Sequence, residues 1–240
     1  MLLYAKIMNI VFSLLSVFLQ ISRGEEQIPQ NNTLNIYASE FVKVNGTEFS
    51  LDGKIWKPVG FNTYLLIEQA AEVPRGTFRS NFSIGTGKKE ILAQFKQAKL
   101  LNFTCVRTWL YSVNEKYPLL LEDNIYDERI FGALDWIIAA ARTHGLKLIF
   151  SFTDFWAENG GIASLILLTG KSAEQPSSLQ SEFQGKNVFF VCQDCFNLFV
   201  KHIQQILLRK NKITGIQYCD ENAVLAWELM VIHIYDDNII

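Results

Sequence analysis

The chain has 240 residues, of which 49% are apolar and 19% charged, a composition typical of a globular domain that can bury one sizeable core. With 22 basic and 24 acidic residues the formal net charge is -2, so the charge balance gives no reason to expect nucleic acid or an anionic membrane as a partner. A neutral ligand fits this balance better.

The first 24 residues have the pattern of a secretory signal peptide. Lys6 precedes an apolar run over residues 7–21, which ends at Ser22, Arg23 and Gly24. A run of this length enters the translocon but is short for a membrane span, although a retained anchor is the alternative. We therefore expect residues 1–24 to be removed, a leader at residues 25–40, and a secreted, extracellular chain with no membrane contact after cleavage.

Four Asn-x-Ser/Thr sequons agree with export and predict a glycoprotein. They begin at Asn31, Asn45, Asn81 and Asn102. Asn102 is expected in a turn between a helix and a strand, where a glycan has room. Asn45 is expected in a tight turn, where a glycan is less readily attached.

The chain has four cysteines, which in an exported protein could form up to two disulfides; the sequence leaves their pairing open. Cys192 and Cys195 form a C-x-x-C, a spacing found in redox and zinc sites. No second C-x-x-C or His pair completes a metal tetrad, and no thioredoxin-like unit surrounds it, so a structural role is favoured. Cys105 lies in a predicted buried strand and Cys219 near another. We expect no metal and no organic cofactor.

The first half of the chain alternates strand and helix patterns. A hairpin is predicted over 41–51 around Asn45 and Gly46, followed by a first core strand from Trp56 to Tyr64. Residues 77–87 are predicted as a loop. Apolar residues at helical spacing predict a helix over 88–101, and residues 103–109 predict the second core strand.

The second half continues this order. A loop over 110–126 leads to a helix from Asp127, as N-cap, to His144, with Gly145 as its stop. A third strand over 146–153, a long connection over 154–191, a helix over 194–210 and a fourth strand over 223–230 complete it. Alternation of this kind indicates an α/β fold with parallel strands and right-handed crossovers.

Several separated motifs resemble glycoside hydrolase family 5, and most closely its endo-β-1,4-mannanases. They are VNGTEFSLDGKIWKPVGFNTY, CVRTWLY, SFTDFWAENGGI and the stretch from KHIQQ to AWELM, together covering about residues 41–230. The resemblance implies a (β/α)8 TIM barrel of which this chain supplies roughly the first four strands. It also implies hydrolysis, with retention, of internal β-1,4-mannosidic bonds in mannan, galactomannan or glucomannan, with no nucleic acid partner.

The resemblance assigns supporting roles to two charged residues on the strands. Arg107 corresponds to the family's cleft-floor arginine, which can hold the nucleophile carboxylate through paired hydrogen bonds. The alternative is an ordinary solvated strand end. Glu228 corresponds to an inward-facing polar residue beside the catalytic glutamate. His202, within the third predicted helix, is expected on the protein surface rather than in catalysis.

The resemblance also implies substrate-binding residues. Trp156 corresponds to a tryptophan that stacks on a sugar ring, with a core or lid position as the alternative, and Trp109, Tyr111 and Asn62 are expected in the same cleft. The family has two asparagines just before this tryptophan. Here Asp154 and Phe155 take those places, in the connection that follows the third strand.

The sequence departs from the family just after the fourth strand. The family continues with Asn-Glu-Pro, whose Glu is the acid/base, whereas this chain has Val231, Ile232 and His233 and then a divergent tail over 231–240. Ile232 cannot exchange a proton, and the family's nucleophile, on a later strand, has no counterpart. We therefore expect an inactive, truncated form or an imperfect gene model. The alternatives are a non-catalytic mannan- or partner-binding protein and a fragment of a β-1,4-glucanase.

Overall fold

The structure, a computed structural model, describes residues 40–73, 85–111, 118–155, 161–170 and 188–231. The first element in this part of the chain is a three-stranded antiparallel sheet. Strands β1 (Lys43–Asn45) and β2 (Glu48–Leu51) form the predicted hairpin, with Gly46 at φ +63° in its turn. A second turn at Asp52 and Gly53, both at positive φ, then returns the chain as β3 (Lys54–Trp56).

The prediction that Trp56 begins the first core strand was therefore wrong. Trp56 pairs with Phe49 in the small antiparallel sheet, because Asp-Gly is a strong hairpin turn that was overlooked. The first core strand, β4, covers only Gly60–Asn62. Gly60 lies so close to the next core strand that a Cβ there would collide with the Cys105 carbonyl, which explains a glycine at this point.

Four parallel strands form the central sheet, in the order β4-β5-β8-β9. Besides β4 they are β5 (Cys105–Trp109), β8 (Lys147–Ser151) and β9 (Val224–Glu228), each paired with the preceding core strand. Their sequential order and parallel direction confirm the predicted α/β arrangement. Because the core strands are parallel, their carboxyl ends all lie at one edge of the sheet. Enzymes with (β/α) barrels carry their catalytic residues at that edge.

The three long helices lie where the sequence predicts them, whereas several short elements were not predicted. The helices are α1 (Leu66–Ala71), α2 (Gly87–Leu100), α3 (Glu128–Thr143), α4 (Gly161–Leu168), α5 (Val188–Val191) and α6 (Gln193–Leu208). A small hairpin, β6 (Leu120–Glu122) and β7 (Ile125–Tyr126), lies in the predicted loop before α3. The α4 segment GIASLILL has no polar face, so it lacks the periodicity that identifies a surface helix.

The hydrophobic core lies between the sheet and the helices. Asp127 caps α3 through its side chain, which accepts hydrogen bonds from the N–H groups of Arg129 and Ile130, and Gly145 at φ +60° ends the helix as predicted. Leu148 and Phe150 of β8 point into this core, and β8 packs against α3. The fully buried members include Leu134, Ile137, Leu148, Phe150 and Phe152.

A buried ionic cluster ties the exit of α6 to α3 and so positions β9. Asp135 of α3 accepts hydrogen bonds from Arg209 Nη2, at 2.7 Å, and from the Tyr218 hydroxyl, at 2.8 Å. The Arg209 guanidinium lies 4.0 Å from the centre of the Phe131 ring. Because both charges have partners in this cluster, it can stay buried at the start of the segment that leads to β9.

His202 is buried, so the prediction of a surface position was wrong. It lies on the apolar stripe of α6, stacks on Tyr126 with ring centres 5.7 Å apart, and places Nδ1 3.2 Å from the Tyr126 hydroxyl. Burial lowers the pKa of His202 to about 4. Its spacing from Cys195, Phe199 and Ile206, all buried on α6, was the signal that was missed.

The sequons and cysteines are only partly covered by the described ranges. Asn102 is exposed in a turn, as expected, whereas Asn45 is exposed at the end of β1, just before the turn at Gly46. Asn31 and Asn81 lie outside the described residues. Cys192 and Cys195 form a disulfide, and Cys105 is a buried free thiol as predicted. Within the described ranges, no helix combines the length and the apolar character needed to cross a membrane.

Candidate active site

The ends of the four core strands bring polar side chains from distant parts of the chain onto one face of the sheet. Register pairs Asn62 with Arg107 on the first two strands and Ser151 with Glu228 on the last two. Because side chains alternate along a strand, these four residues point to the side of the sheet opposite the helices. They form the centre of the candidate site, at the edge where a barrel enzyme holds its substrate.

Arg107 and Glu228 form a doubly hydrogen-bonded ion pair across this face. Arg107 Nε lies 2.9 Å from both carboxylate oxygens of Glu228, and Nη2 lies 2.7 Å from Oε2. Arg107 Nη1 donates to Asn62 Oδ1 at 3.2 Å, and the Ser151 hydroxyl donates to Glu228 Oε2. Arg107 therefore differs from a freely solvated strand end, which was the alternative. Its guanidinium is oriented by direct hydrogen bonds to Asn62 and Glu228, and Ser151 in turn holds Glu228.

The environment of Glu228 keeps its carboxylate ionised. Partial burial raises its pKa, but hydrogen bonds from Arg107 and Ser151 outweigh that effect, so the pKa lies below the ordinary value. A general acid needs the opposite shift, because it must hold a proton near neutral pH. Glu228 therefore serves as an anchor for Arg107 and an acceptor of hydrogen bonds.

An aromatic row borders the ion pair on the side of the first two strands. The Trp109 ring lies 4.8 Å from Tyr64 and 5.2 Å from Tyr111, the latter nearly parallel at 15°. Tyr64 is 49% exposed. The sequence predicted Trp109 and Tyr111 in the cleft but not Tyr64, which lies in the turn two residues after the end of β4. Trp109 and Tyr111 are half-buried, and aromatic side chains at such a surface can bind the apolar face of a sugar ring.

Tyr111 joins this row to a buried carboxylate. Burial and the negative charge of Asp154 raise the pKa of the Tyr111 hydroxyl, so it stays protonated. Asp154 is fully buried, and Phe155 packs 6.3 Å from the Phe190 ring. The two residues that replace the family's asparagines therefore face the protein interior. Gly161 lies against Asp154, leaving no room there for a Cβ.

Two predicted site residues, Trp156 and Ile232, lie outside the described residues. The backbone just before Ile232 is described: Val231 N donates to Thr153 O at 3.0 Å, and Phe155 N donates to Val231 O at 3.0 Å. Pairing between the third and fourth core strands thus continues to Val231.

Among the described residues, the site is an open surface rather than a closed cavity. A cavity beside Tyr111, between Phe152, Leu165 and His202, has a volume of about 60 Å³, well below that of a typical ligand pocket. A larger one, about 450 Å³, lies at the opposite ends of the strands, beside Trp56 and Lys147. No group of three potential metal ligands occurs in the described ranges. Extended ligands suit an open face better than small molecules do.

Comparison with known proteins identifies similar plant proteins. The chain is 32% identical over 190 residues to "Mannan endo-1,4-beta-mannosidase 5" of Solanum lycopersicum, covering 79% of this chain and 41% of that protein. It is 28% identical over 223 residues to "Mannan endo-1,4-beta-mannosidase 7" of Arabidopsis thaliana, covering 92% and 46%. The chain thus spans less than half the length of these relatives.

Solved structures show the same fold. A glycoside hydrolase family 5 mannosidase from Rhizomucor miehei superposes with a TM-score of 0.67 at 18% identity, over 79% of this chain and 48% of that one. An endo-1,4-beta-mannanase from the same organism gives 0.62 at 23% identity, over 80% and 48%. The described strands and helices correspond to part of a (β/α)8 barrel. The model of a family described as GH family 5 beta-mannosidase-like matches residues 39–231, which contain the whole Arg107 and Glu228 cluster, and the chain belongs to that family.

Proposed function

We propose that this chain provides the substrate-binding half of a secreted mannan endo-1,4-β-mannosidase, and that its ligand is a β-1,4-mannan, galactomannan or glucomannan. The observation that carries the proposal is the Arg107 and Glu228 ion pair lying beside the Tyr64, Trp109 and Tyr111 row. The names of the plant relatives support mannan as the polysaccharide. The near-neutral charge of the chain also suits an uncharged polymer.

The geometry suggests how a mannan chain is held. Sugar rings stack on the aromatic row, which removes apolar sugar faces from water. Asn62 accepts from Arg107 through Oδ1, which turns its amide nitrogen toward a donor role with a sugar hydroxyl. In the retaining reaction of this family, two carboxyl groups about 5 to 5.5 Å apart act as nucleophile and acid/base. The ionised Glu228 supports that reaction by fixing Arg107.

We further propose that this 240-residue chain binds mannan without hydrolysing it. The family resemblance implies that Ile232, which has no titratable group, stands at the position of the acid/base. General acid/base catalysis contributes roughly 10²- to 10⁴-fold to a rate, so its loss removes most of the activity. Binding through the aromatic row does not depend on that residue.

Retention on insoluble polysaccharide tests the binding proposal. The purified chain should be retained on mannan and much less on cellulose, which separates mannan binding from the β-1,4-glucanase alternative. Trp109→Ala should weaken mannan binding about tenfold, because it removes the centre of the aromatic row.

Trp56→Ala is the matched control, since Trp56 lies in the small antiparallel sheet at the other end of the strands. It should bind mannan as the wild type does. Equal retention of Trp109→Ala and wild type, with both folded by circular dichroism, would exclude the aromatic row as the binding surface.

A further inference from the structure

One of the four sequons lies in a turn that the proposed function does not use. Asn102 follows the end of α2 by two residues, has a φ of +58°, and is exposed. Its N–H donates to Lys99 O at 3.1 Å, which fixes the backbone of the turn. Among the described residues its side-chain amide has no hydrogen-bond partner. That amide is therefore presented to solvent.

The other two residues of this sequon hold the turn against the start of the sheet. The Phe103 ring lies 6.1 Å from the Phe61 ring of β4. The Thr104 hydroxyl donates to Lys57 O at 2.9 Å and accepts from Val59 N at 2.9 Å. These contacts turn the second and third sequon residues toward the segment before β4 and leave the asparagine on the outside.

Three exposed aliphatic side chains lie beside Asn102. Leu100 is 69% exposed and Leu101 is 55% exposed, and both directly precede Asn102 in the chain. Val59, 49% exposed, is close because its carbonyl accepts a hydrogen bond from Thr104 N at 2.7 Å. Single exposed aliphatic residues are ordinary, but neighbouring ones form a patch that promotes association unless something covers it. We call these three side chains the Asn102 patch.

We propose that Asn102 carries an N-linked glycan and that this glycan covers the Asn102 patch. The inference rests on the secreted character given in the proposed function, because the sugar is transferred in the secretory pathway. The side-chain nitrogen of Asn102 attacks the anomeric carbon of a lipid-linked oligosaccharide. A carbon–nitrogen bond forms, the bond from that carbon to the diphosphate oxygen breaks, the lipid diphosphate leaves with the electron pair, and the amide loses one proton.

The fold places this transfer before the first two core strands pair. The acceptor sequence requires the hydroxyl of Thr104, and in the folded chain that hydroxyl is engaged with Lys57 and Val59. These partners lie 47 and 45 residues earlier in the chain, so the contacts depend on tertiary structure rather than on the local turn. The sugar is therefore added while residues 102–104 are extended, and the folded turn then keeps it on the surface.

The glycan lies at the end of the sheet opposite the candidate active site. Asn102 precedes β5, whereas Trp109 is the last residue of that strand. A glycan on Asn102 therefore leaves the aromatic row open, and mannan binding can be measured independently of it.

Export of the full chain from a eukaryotic cell tests the modification. With Asn31→Gln, Asn45→Gln and Asn81→Gln in the background, Asn102 is the only sequon left. Enzymatic release of the glycan in heavy-oxygen water should convert Asn102 to a labelled aspartate, which mass spectrometry of its peptide detects.

An unmodified Asn102 in exported, folded protein would overturn the proposal. Protein that stays inside the cell would overturn it through the secretion on which it depends. Retention on mannan, measured on either material, tells whether the binding part of the proposed function fails as well.

Release of the glycan from the folded protein tests the covering role without a substitution at Asn102. The released form should bind about threefold more of an apolar dye and should aggregate faster than the glycosylated form, because the Asn102 patch becomes exposed. Leu100→Gln together with Leu101→Gln is the matched control, since both side chains are exposed and the change makes the patch polar. In that variant, release of the glycan should change neither property. Equal dye binding before and after release, or a difference that persists in the control, would overturn the covering role.

Discussion

At the scale of single residues, the family resemblance predicted that Arg107 and Glu228 lie in one cleft, and the structure places both on one face of the sheet. Their supporting role stays a prediction. Their direct hydrogen bonds and the contribution of Ser151 depend on how far β5, β8 and β9 are offset, which only the register shows. That register, in turn, makes Glu228 an anion rather than an acid.

His202 shows the opposite case, in which a residue type misled the prediction. Histidine is common on helix surfaces, yet this one fills a core position on α6 beside Tyr126. Its folded-state pKa, about 4, lies below the ordinary 6.5. The unfolded chain therefore binds a proton first as the pH falls, and acid favours unfolding.

From this shift we predict that His202 costs about 3 kcal/mol of stability on acidification. The cost should begin below pH 6.5 and be complete near pH 4. Denaturant titrations at pH 7 and pH 4 should show that His202→Phe loses this part of the pH dependence.

Tyr126→Phe is the control, because it removes the hydrogen bond to His202 but leaves the burial that causes the shift. It should keep the wild-type pH dependence. If His202→Phe instead retained the full acid destabilisation, the protonation of another group would have to account for it.

At the scale of secondary-structure elements, the strands and the amphipathic helices were predictable because each carries a strong local pattern. The helix α3 has a side-chain cap, an apolar stripe and a glycine stop, and its bounds agree with the prediction within one residue at each end. The helices α1 and α4 and the hairpin of β6 and β7 were missed. They are short, and tertiary packing rather than local sequence determines them.

The close contact between β4 and β5 gives a prediction at this scale. Gly60→Ala should destabilise the protein by more than about 2 kcal/mol, because the new Cβ would collide with the backbone carbonyl of Cys105, which cannot move without disturbing the strand. Thermal and denaturant unfolding would measure the loss.

Gly132→Ala is the matched glycine control. Gly132 lies inside α3, and no heavy atom lies within 4 Å of the position its Cβ would take. The substitution should stabilise the protein by up to about 1 kcal/mol, as alanine does in helix interiors. A similar loss for both variants would argue against a specific contact at Gly60.

At the scale of the whole molecule, the described strands form an open parallel sheet with helices on one face. The outer edges of β4 and β9 have no further strand partner among the described residues. The solved relatives are about twice as long as the matched segment. Strand and helix alternation predicted the parallel α/β arrangement, which the structure confirms, whereas the barrel was implied by the family resemblance. The composition of the aromatic row was only partly predictable, because Tyr64 joins it from the turn that follows β4 rather than from a strand.

Holding a mannan chain and cleaving it are separate properties. We propose that this chain keeps the first and lacks the second. The described residues hold the groups suited to the first. We propose that Ile232 stands where the second needs an acid/base. Binding and cleavage should therefore be measured on the same preparation.

The most direct measurement is the release of new reducing ends from soluble mannan by the purified 240-residue chain, with mannan retention measured in parallel. The account predicts retention on mannan and no reducing ends above those of a heat-denatured sample. Release of mannose oligomers by the folded chain, or absence of retention, would contradict it.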